Sequence, residues 1–239
     1  MEDKEQKWEI TCDRFVAFFD IMGFKEMALR NSHEVMLTKL GAIKYFKDNI
    51  IEGDQYNQHL KNESGLKSFV FSDTIVAFTK SDSAKDAEIL LAKCSHFIRM
   101  CLTNKLPLKG VISFGKISIG WQDSMFYGQP IIDAYLLQEE LQMYGAILDF
   151  NAEKKFKELS KEENIWNKII LYKTPTKTGK INHYCLKWAP QRFKPEKFKS
   201  EQCREYVENI YTIVSGKPRV YVDNTLDFLD HITKLEGEK

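Results

Sequence analysis

The stretch Arg-Phe-Val-Ala-Phe-Phe-Asp-Ile-Met-Gly-Phe, residues 14 to 24, indicates how the chain folds. Its uncharged run from Phe15 to Phe19 is typical of a buried strand, and the strand ends at one carboxylate, Asp20. Gly23 then marks a turn. A carboxylate in this position loses hydration, which costs on the order of several kcal/mol unless a cation or hydrogen-bond donors compensate it. Asp20 is therefore either compensated by a positive charge or is the cap of the next helix.

A second stretch, residues 66 to 80, has the same character: Leu-Lys-Ser-Phe-Val-Phe-Ser-Asp-Thr-Ile-Val-Ala-Phe-Thr-Lys. Two β-rich runs flank Ser72 and Asp73, which predicts a hairpin with a carboxylate at its tip. If the hairpin lies beside the first strand, Asp20 and Asp73 meet at one edge of a sheet, and their repulsion favours a divalent cation between them. Carboxylate oxygens suit Mg²⁺ or Mn²⁺, which bind through one or two carboxylates together with nucleotide phosphates. Either aspartate alone is commonly a cap or a turn residue.

The remaining patterns predict alternating strands and helices. Helical spacing or capping residues predict helices over residues 31–50, 84–101, 128–144, 201–214 and 218–235, and β-rich runs predict strands over 108–120, 146–150, 169–173 and 183–188. Residues 51–64 are polar and predict a loop. The order implies an α/β or α+β sheet with helices over one face. We expect a core in residues 1–150 and a C-terminal extension in residues 151–239, packed on the core within the same domain or as a small subdomain.

Composition narrows the functional classes. The chain has 239 residues, and 35 basic against 34 acidic side chains give a formal net charge of +1, which gives no support to a nucleic-acid partner. Its five cysteines contain no C-x-x-C pair, which disfavours a disulfide framework or a zinc site and fits a reduced compartment. No apolar run approaches the ~18 residues of a membrane span. These features predict a cytoplasmic protein with no membrane partner.

Four segments together resemble the catalytic domain of class III nucleotidyl cyclases. Residues 18–24 are similar to the first metal-binding motif of that family, and residues 71–78 to the hairpin that carries its second metal aspartate. Residues 109–116 resemble the following Arg-Gly strand, and residues 127–135 the segment that opens the next helix. The segments occur in the family's order and cover residues 14 to about 145. The resemblance implies a ferredoxin-like α+β fold with a mixed, mostly antiparallel sheet and helices packed on it, to which a C-terminal strand pair and helices are appended.

The departures from the family point to one branch of it. In adenylate and guanylate cyclases the last helix carries an Asn and an Arg, and the corresponding positions here hold Ile132 and Leu136. The position of the lysine that reads adenine holds Phe69. The Ser72-Asp73 pair and Lys109-Gly110 more closely resemble the bacterial anti-phage (Pycsar) pyrimidine cyclases. Those enzymes convert UTP or CTP to the cyclic 3′,5′-monophosphate, which activates a separate effector protein.

The resemblance also implies a role for individual residues. Two divalent ions, Mg²⁺ or Mn²⁺, would be held by Asp20, Asp73 and the Ile21 carbonyl. The triphosphate would lie against the backbone amides of the turn, and a lysine would supply positive charge to the α-phosphate. In the family the sites form across a homodimer, so such a residue can act on the substrate of the partner. The remaining candidates are the amides of Met22, Gly23 and Phe24, the cations Lys109 and Lys116, and the nucleotide contacts Phe69, Ser72, Asp133 and Tyr135.

Each of these side chains also has a structural alternative. The two lysines could be solvated strand-end residues, Phe69 could belong to the core, and Asp133 and Tyr135 could lie on a helix surface. At the level of function, the alternatives are a purine cyclase and a catalytically inactive cyclase-like module that binds nucleotide or dimerises.

Overall fold

One mixed sheet of eight strands organises the computed structural model, which describes residues 8–53, 66–159, 163–189 and 200–237. Seven strands lie side by side in the order β2-β3-β1-β4-β6-β8-β7, and β5 pairs with β4. The β4–β6 pair is parallel and the other pairs are antiparallel. The strands are Thr11–Ile21 (β1), Leu66–Phe71 (β2), Thr74–Thr79 (β3), Leu108–Gly120 (β4), Met125–Tyr127 (β5), Gly145–Leu148 (β6), Ile169–Thr176 (β7) and Gly179–Leu186 (β8).

Eight α-helices accompany the sheet in the described part of the chain. A π-helical turn, Lys47–Ile51, continues the second helix, and a 3-10 turn, Asn209–Thr212, follows the seventh. The helices are Phe24–Arg30 (α1), His33–Phe46 (α2), Ala84–Thr103 (α3), Gln129–Glu140 (α4), Phe150–Glu158 (α5), Glu163–Trp166 (α6), Ser200–Glu208 (α7) and Pro218–Gly237 (α8).

Strand β1 lies between β3 and β4 and is covered on both faces. The ring of Phe19 lies 5.8 Å from that of Phe97 on α3, whereas the ring of Phe18 lies 5.9 Å from that of Tyr135 on α4. Because successive side chains of a strand point to opposite faces, α3 and α4 lie on opposite sides of the sheet. The expectation of helices over one face is therefore wrong. Burial on both sides explains why the run before Asp20 contains no polar alternation.

The second half of the chain continues the same sheet. Strand β8 pairs with β6 through Ile147 and Cys185, so that β7 and β8 extend the sheet beyond the first half. Helix α8 is fastened to the segment after α4 by two hydrogen bonds. The Tyr144 amide donates to Thr225 Oγ1 at 2.8 Å, and Asn224 Nδ2 donates to the Gln142 carbonyl at 2.8 Å. The division at residue 150 stays a prediction, since these contacts do not define a boundary.

Several element ends differ from those predicted. The helix expected to reach Tyr144 ends at Glu140, because Leu141 takes an extended conformation and bridges to Thr176. The strand expected to reach Phe150 ends at Leu148, since the Asp149 carboxylate accepts the Ala152 amide at 2.7 Å and caps α5. Most of the loop predicted over residues 51–64 lies outside the described residues. Helices α1, α5 and α6 and the short strand β5 have no counterpart among the predicted ranges.

Gly110 gives a test of the packing between β1 and β4. A Cβ at this position would lie 2.3 Å from Phe19 Cδ1 and 2.4 Å from the Phe18 carbonyl oxygen, whereas a Cβ at Gly41 of α2 would meet nothing within 4 Å. We expect Gly110→Ala to lower the free energy of unfolding by about 2–3 kcal/mol through overpacking. Gly41→Ala should raise it by about 0.5–1 kcal/mol, because a mid-helix glycine costs conformational entropy.

Chemical denaturation of the two variants and the wild type measures both effects. A Gly110→Ala protein as stable as the wild type would contradict the close approach of the two strands.

Candidate active site

The end of β1 and the tip of the β2–β3 hairpin lie together. In the register of the sheet, Asp20 stands opposite Thr74 on β3 and opposite Lys109 on β4. Asp73 directly precedes Thr74, and its carbonyl accepts the Ile21 amide at 3.0 Å. The sheet thus places two carboxylates and one ammonium-bearing side chain at one edge, because directly opposed residues of antiparallel strands lie about 5 Å apart at Cβ.

This placement changes the acidity of the Asp20 carboxyl. Burial, followed by the charge of Asp73, raises the pKa of Asp20 from its usual 3.8 to about 6. Lys109 lowers this pKa and the carboxylate of Glu139 raises it again, so Asp20 lies in a field dominated by negative charge. A cation placed beside the pair would relieve the repulsion and keep both carboxylates ionised.

Lys109 is a buried cation, with only 4 % of its surface exposed. Burial lowers the pKa of its ammonium, while Glu139 and Asp20 act in the opposite direction. Among the described residues the ammonium makes no hydrogen bond and no ion pair; its nearest aromatic neighbour is the ring of Tyr221, whose centre lies 6.0 Å from Nζ. The stem of Lys109 is buried while Nζ keeps some contact with solvent, so the ammonium is well placed to meet an anionic ligand.

The turn after Asp20 takes a left-handed conformation at Gly23, with φ of 73°, and α1 begins there. The Met22 amide donates to the Pro107 carbonyl at 2.8 Å and is thereby occupied. The amides of Gly23 and Phe24 stand at the start of α1, where a helix leaves its first N–H groups without intrahelical partners. Ser72 lies exposed in the hairpin turn with φ of 57°. Contacts between these groups and a triphosphate stay a prediction.

The carboxylates of Asp20 and Asp73 suit a divalent ion whose coordination is completed by groups from outside the protein. Within the described ranges no three His, Cys, Asp or Glu side chains come close enough to hold a metal ion by themselves. Asp20 and Asp73 supply two carboxylates, which is the usual protein contribution to Mg²⁺ when nucleotide phosphates complete the coordination. The Ile21 carbonyl stays a predicted ligand.

Phe69 and Tyr135 lie on the same face of the sheet as Asp20 but pack against other aromatic side chains. The Phe69 ring stacks on Phe126 of β5, with centroids 4.4 Å apart and planes 9° apart. Tyr135 is half exposed and meets Phe18 edge to face. Both residues therefore make core contacts in this chain, and a contact with a nucleobase stays a prediction for either.

Asp133 and Lys116 lie at the far end of β1 and β4. Asp133 accepts a hydrogen bond from Gln129 Nε2 at 2.8 Å and borders a cleft of about 270 Å³ that Gly115 also lines. Gly115 stands opposite Arg14, six positions before Asp20, so the cleft lies about 20 Å from Asp20 along the strand. Lys116 is exposed and stands opposite Asp13. Within one chain neither residue reaches Asp20.

Two further side chains at the site, Glu139 and Tyr221, were missed by sequence reasoning. Glu139 lies near the end of α4, where its carboxylate oxygen is 3.6 Å from Lys177 Nζ, and its charge affects Asp20, Lys109 and Tyr221. It lies within a predicted helix, one turn after Tyr135, so the helical spacing could have pointed to it. Tyr221 comes from α8 and carries no local signal, because only the tertiary fold brings it to Lys109.

Comparison with solved structures identifies the fold. The chain is similar to the catalytic core of a rhodopsin-guanylyl cyclase with converted specificity, solved in complex with ATPαS, with 14% identity and a TM-score of 0.54 over 74% of this chain and 98% of that one. A class III adenylyl cyclase-like ATP-binding protein from Pseudomonas aeruginosa also matches, at 9% identity and a TM-score of 0.37 over 94% of this chain and 44% of that one. The latter score is too low to support any inference. The α+β fold of class III cyclase catalytic domains is thereby confirmed.

The other comparisons add no relative. No protein-family model matches the chain, and no curated protein matches it. In the parts of the chain that the structure describes, every helix is too short or too polar to span a bilayer.

The raised pKa of Asp20 predicts how stability depends on pH. Since the folded-state pKa of about 6 lies above the usual value of 3.8, protonation stabilises the fold. This contribution is complete below the unfolded-state pKa and is lost as the pH rises through the folded-state pKa. In EDTA, Asp20→Asn should therefore melt higher than the wild type at about pH 8, and the difference should shrink toward about pH 4.

Thermal melts of the two proteins over this pH range measure the difference directly. A gap between the melting temperatures that does not change with pH would show that Asp20 is not perturbed.

Proposed function

We propose that the protein is a metal-dependent pyrimidine nucleotide cyclase, which converts UTP or CTP to the 3′,5′-cyclic monophosphate and pyrophosphate. The observation that carries the proposal is the group at the strand ends: Asp20 and Asp73 adjacent to each other, with the buried and unpaired Lys109 opposite Asp20. This group occurs in a fold shared with the catalytic core of a guanylyl cyclase. The pyrimidine preference rests on Phe69, Ile132 and Leu136, which replace the groups that purine cyclases use.

Asp20, Asp73 and Lys109 have separate roles in forming the cyclic phosphate ring. Asp20 and Asp73 would hold two divalent ions, which when bound lower the pKa of the ribose 3′-hydroxyl and neutralise the triphosphate. Lys109 supplies fixed positive charge at the same edge, where negative charge develops on the α-phosphate. The bond from the 3′-oxygen to the α-phosphorus forms as the bond to pyrophosphate breaks, and the hydroxyl proton passes to solvent.

A homodimer forms part of the proposal, because the outer face of α4 is apolar. Ile132, Tyr135 and Leu136 are 44%, 50% and 58% exposed, and their spacing of three and four residues puts them on one side of the helix. A role for Asp133 or Lys116 at a partner's substrate would require such a second copy. Sedimentation velocity tests the dimer, and a monomer at every accessible concentration would contradict it.

The biological role proposed is that of a cytoplasmic signal generator in anti-phage defence. It rests on the likeness of Ser72-Asp73 and Lys109-Gly110 to the Pycsar cyclases. The cyclic pyrimidine nucleotide would activate a separate effector protein. Phage infection of cells that carry the protein should raise cyclic UMP or cyclic CMP, and unchanged levels would contradict this role.

One alternative has a specific observation in its favour. Ile132 and Leu136 stand on the exposed face of α4 at the positions of the Asn/Arg pair of purine cyclases, and neither can stabilise a transition state electrostatically. This favours an inactive module that binds nucleotide or dimerises. The two aspartates argue against it, because paired carboxylates at a buried strand end repel and have no structural purpose evident in the fold.

The proposed reaction is tested by incubating the purified protein with Mn²⁺ and each of ATP, GTP, CTP and UTP. We expect a cyclic monophosphate from at least one pyrimidine nucleotide. Asp73→Ala should abolish turnover and leave the melting temperature near that of the wild type, because Asp73 lies in a turn. Asp82→Ala, which removes a surface ion pair with Lys155, is the matched control and should retain activity.

Product from purines alone would reject the pyrimidine assignment, and no product from any nucleotide would favour the inactive module. Turnover that survives in Asp73→Ala would show that the metal assignment is wrong.

A second test addresses the cation at the site. Lys109→Met keeps the length of the buried stem and removes its charge, so we expect kcat to fall about 100-fold, as for the loss of one electrostatic group in a preorganised site. The same change should leave the fold at least as stable, because burial lowers the pKa of Lys109 and so disfavours its charged form. Lys116→Met provides the comparison with an exposed lysine on the same strand, and steady-state kinetics with thermal melts measures both.

The comparison separates two arrangements of the site. Lost activity in Lys109→Met alone supports a cation supplied within one chain. Full activity in Lys109→Met would overturn the role of Lys109, and lost activity in Lys116→Met alone would indicate a cation supplied by the partner.

A further inference from the structure

Helix α8 reaches from the second half of the chain to the site at the end of β1. Tyr221, on its first turns, is only 8 % exposed, and the centre of its ring lies 6.0 Å from Lys109 Nζ. The ring also stacks with Tyr144, with centroids 6.0 Å apart and planes 18° apart. Tyr221 is thus packed against the one lysine that the fold buries beside Asp20.

The position of the Tyr221 ring is fixed by its own helix. One turn further along α8, Thr225 Oγ1 donates to the Tyr221 carbonyl at 2.6 Å and accepts the Tyr144 amide at 2.8 Å. Asn224 adds a bond of 2.8 Å to the Gln142 carbonyl. Two hydrogen bonds therefore tie this part of α8 to the segment between α4 and β6, and the third joins two consecutive turns of α8.

The stem of Lys109 is packed by its neighbours, but its ammonium has no hydrogen-bond or ion-pair partner among the described residues to orient it. A lysine side chain has four rotatable carbon bonds and loses about 2 kcal/mol of rotamer entropy when it is ordered. Its ammonium makes no hydrogen bond or ion pair with the described residues, so the face of an aromatic ring is the group that can orient it. Burial and the charges of Glu139 and Asp20 raise the pKa of Tyr221, so the ring is neutral and suited to attract a cation.

We propose that Tyr221 is a positioning residue, which holds the ammonium of Lys109 at the Asp20 end of the sheet through its aromatic ring. Helix α8 is then part of the active site and not an appendage to it. This inference rests on the proposed function. Because the ammonium lies over the ring and no hydrogen bond joins it to the hydroxyl, phenylalanine should replace tyrosine and an aliphatic residue should not.

Kinetics on the full-length chain tests the role in catalysis. We expect Tyr221→Leu to lower kcat about tenfold or more with KM nearly unchanged, as for the loss of a desolvated cation–π contact. Tyr221→Phe should stay within about threefold of the wild type, since it keeps the ring. Tyr172→Leu is the matched control: it removes another tyrosine ring packed against α8, next to Phe228 and His231, and should leave kcat unchanged.

A second measurement does not depend on turnover. In protein labelled with ¹³C-lysine, the ε-carbon and ε-proton signals of Lys109, assigned by their loss in Lys109→Arg, should carry a ring-current shift. That shift should vanish in Tyr221→Leu, persist in Tyr221→Phe and persist in Tyr172→Leu. Thermal melts of the three variants show whether α8 stays docked in each.

The outcomes separate this inference from the proposed reaction. A wild type that is inactive on all four nucleotides, with the ring-current shift present, would reject the cyclase and leave Tyr221 as the group that orients Lys109. An active wild type with unchanged kcat in Tyr221→Leu would overturn the positioning role. Equal losses in Tyr221→Phe and Tyr221→Leu, or a Lys109 signal that does not move, would also overturn it.

Discussion

The placement of Asp20 at the end of a strand that is buried on both faces is the constraint on which the site depends. A carboxylate there is poorly hydrated, and its neighbour Asp73 makes ionisation harder still. The protein does not resolve this by pairing Asp20 with a close cation, since Lys109 stands on the adjacent strand without an ion pair to it. The uncompensated negative charge of Asp20 and Asp73 favours binding of a metal–nucleotide complex, because an ion bound there neutralises both carboxylates at once.

The rest of the sheet positions this charge. Strand β1 pairs with β4 along its whole length and with β3 from Val16 to Asp20. Helices α3 and α4 cover its two faces. The hairpin turn is tied to β1 by the bond from the Ile21 amide to the Asp73 carbonyl. On the other side, Gly110 lets β4 approach the Phe19 ring closely, and this sets the position of Lys109 one residue earlier. Each of the three charged side chains therefore stands on a backbone that packing has fixed.

The sequence was sufficient for those parts of the structure that depend on local patterns. An uncharged run that ends at Asp20, together with a hairpin signal around Asp73, placed the two carboxylates near one edge of the sheet. The order of four short motifs predicted the fold. The faces of the sheet that helices cover, and the residues at which strands and helices end, were less predictable. The apolar sequence before Asp20 does not show whether helices cover one face of its strand or both. Helix α4 ends at Glu140 because of a bridge to Thr176 that no local pattern reveals. Glu139 and Tyr221 reach the site only through tertiary packing, and the same holds for the separation of Asp133 and Lys116 from Asp20.

The contact between Lys109 and Tyr221 also has a consequence for how the chain matures. The two residues are separated by more than a hundred positions in the sequence. The hydrogen bonds that fasten α8 near Tyr144 and Gln142 span 81 and 82 positions. During synthesis, the strands that carry Asp20, Asp73 and Lys109 leave the ribosome long before α8 does, and domains assemble as their residues emerge. Pairings of such long range also slow folding. The order of elements along the chain delays the completed site until translation has passed residue 221.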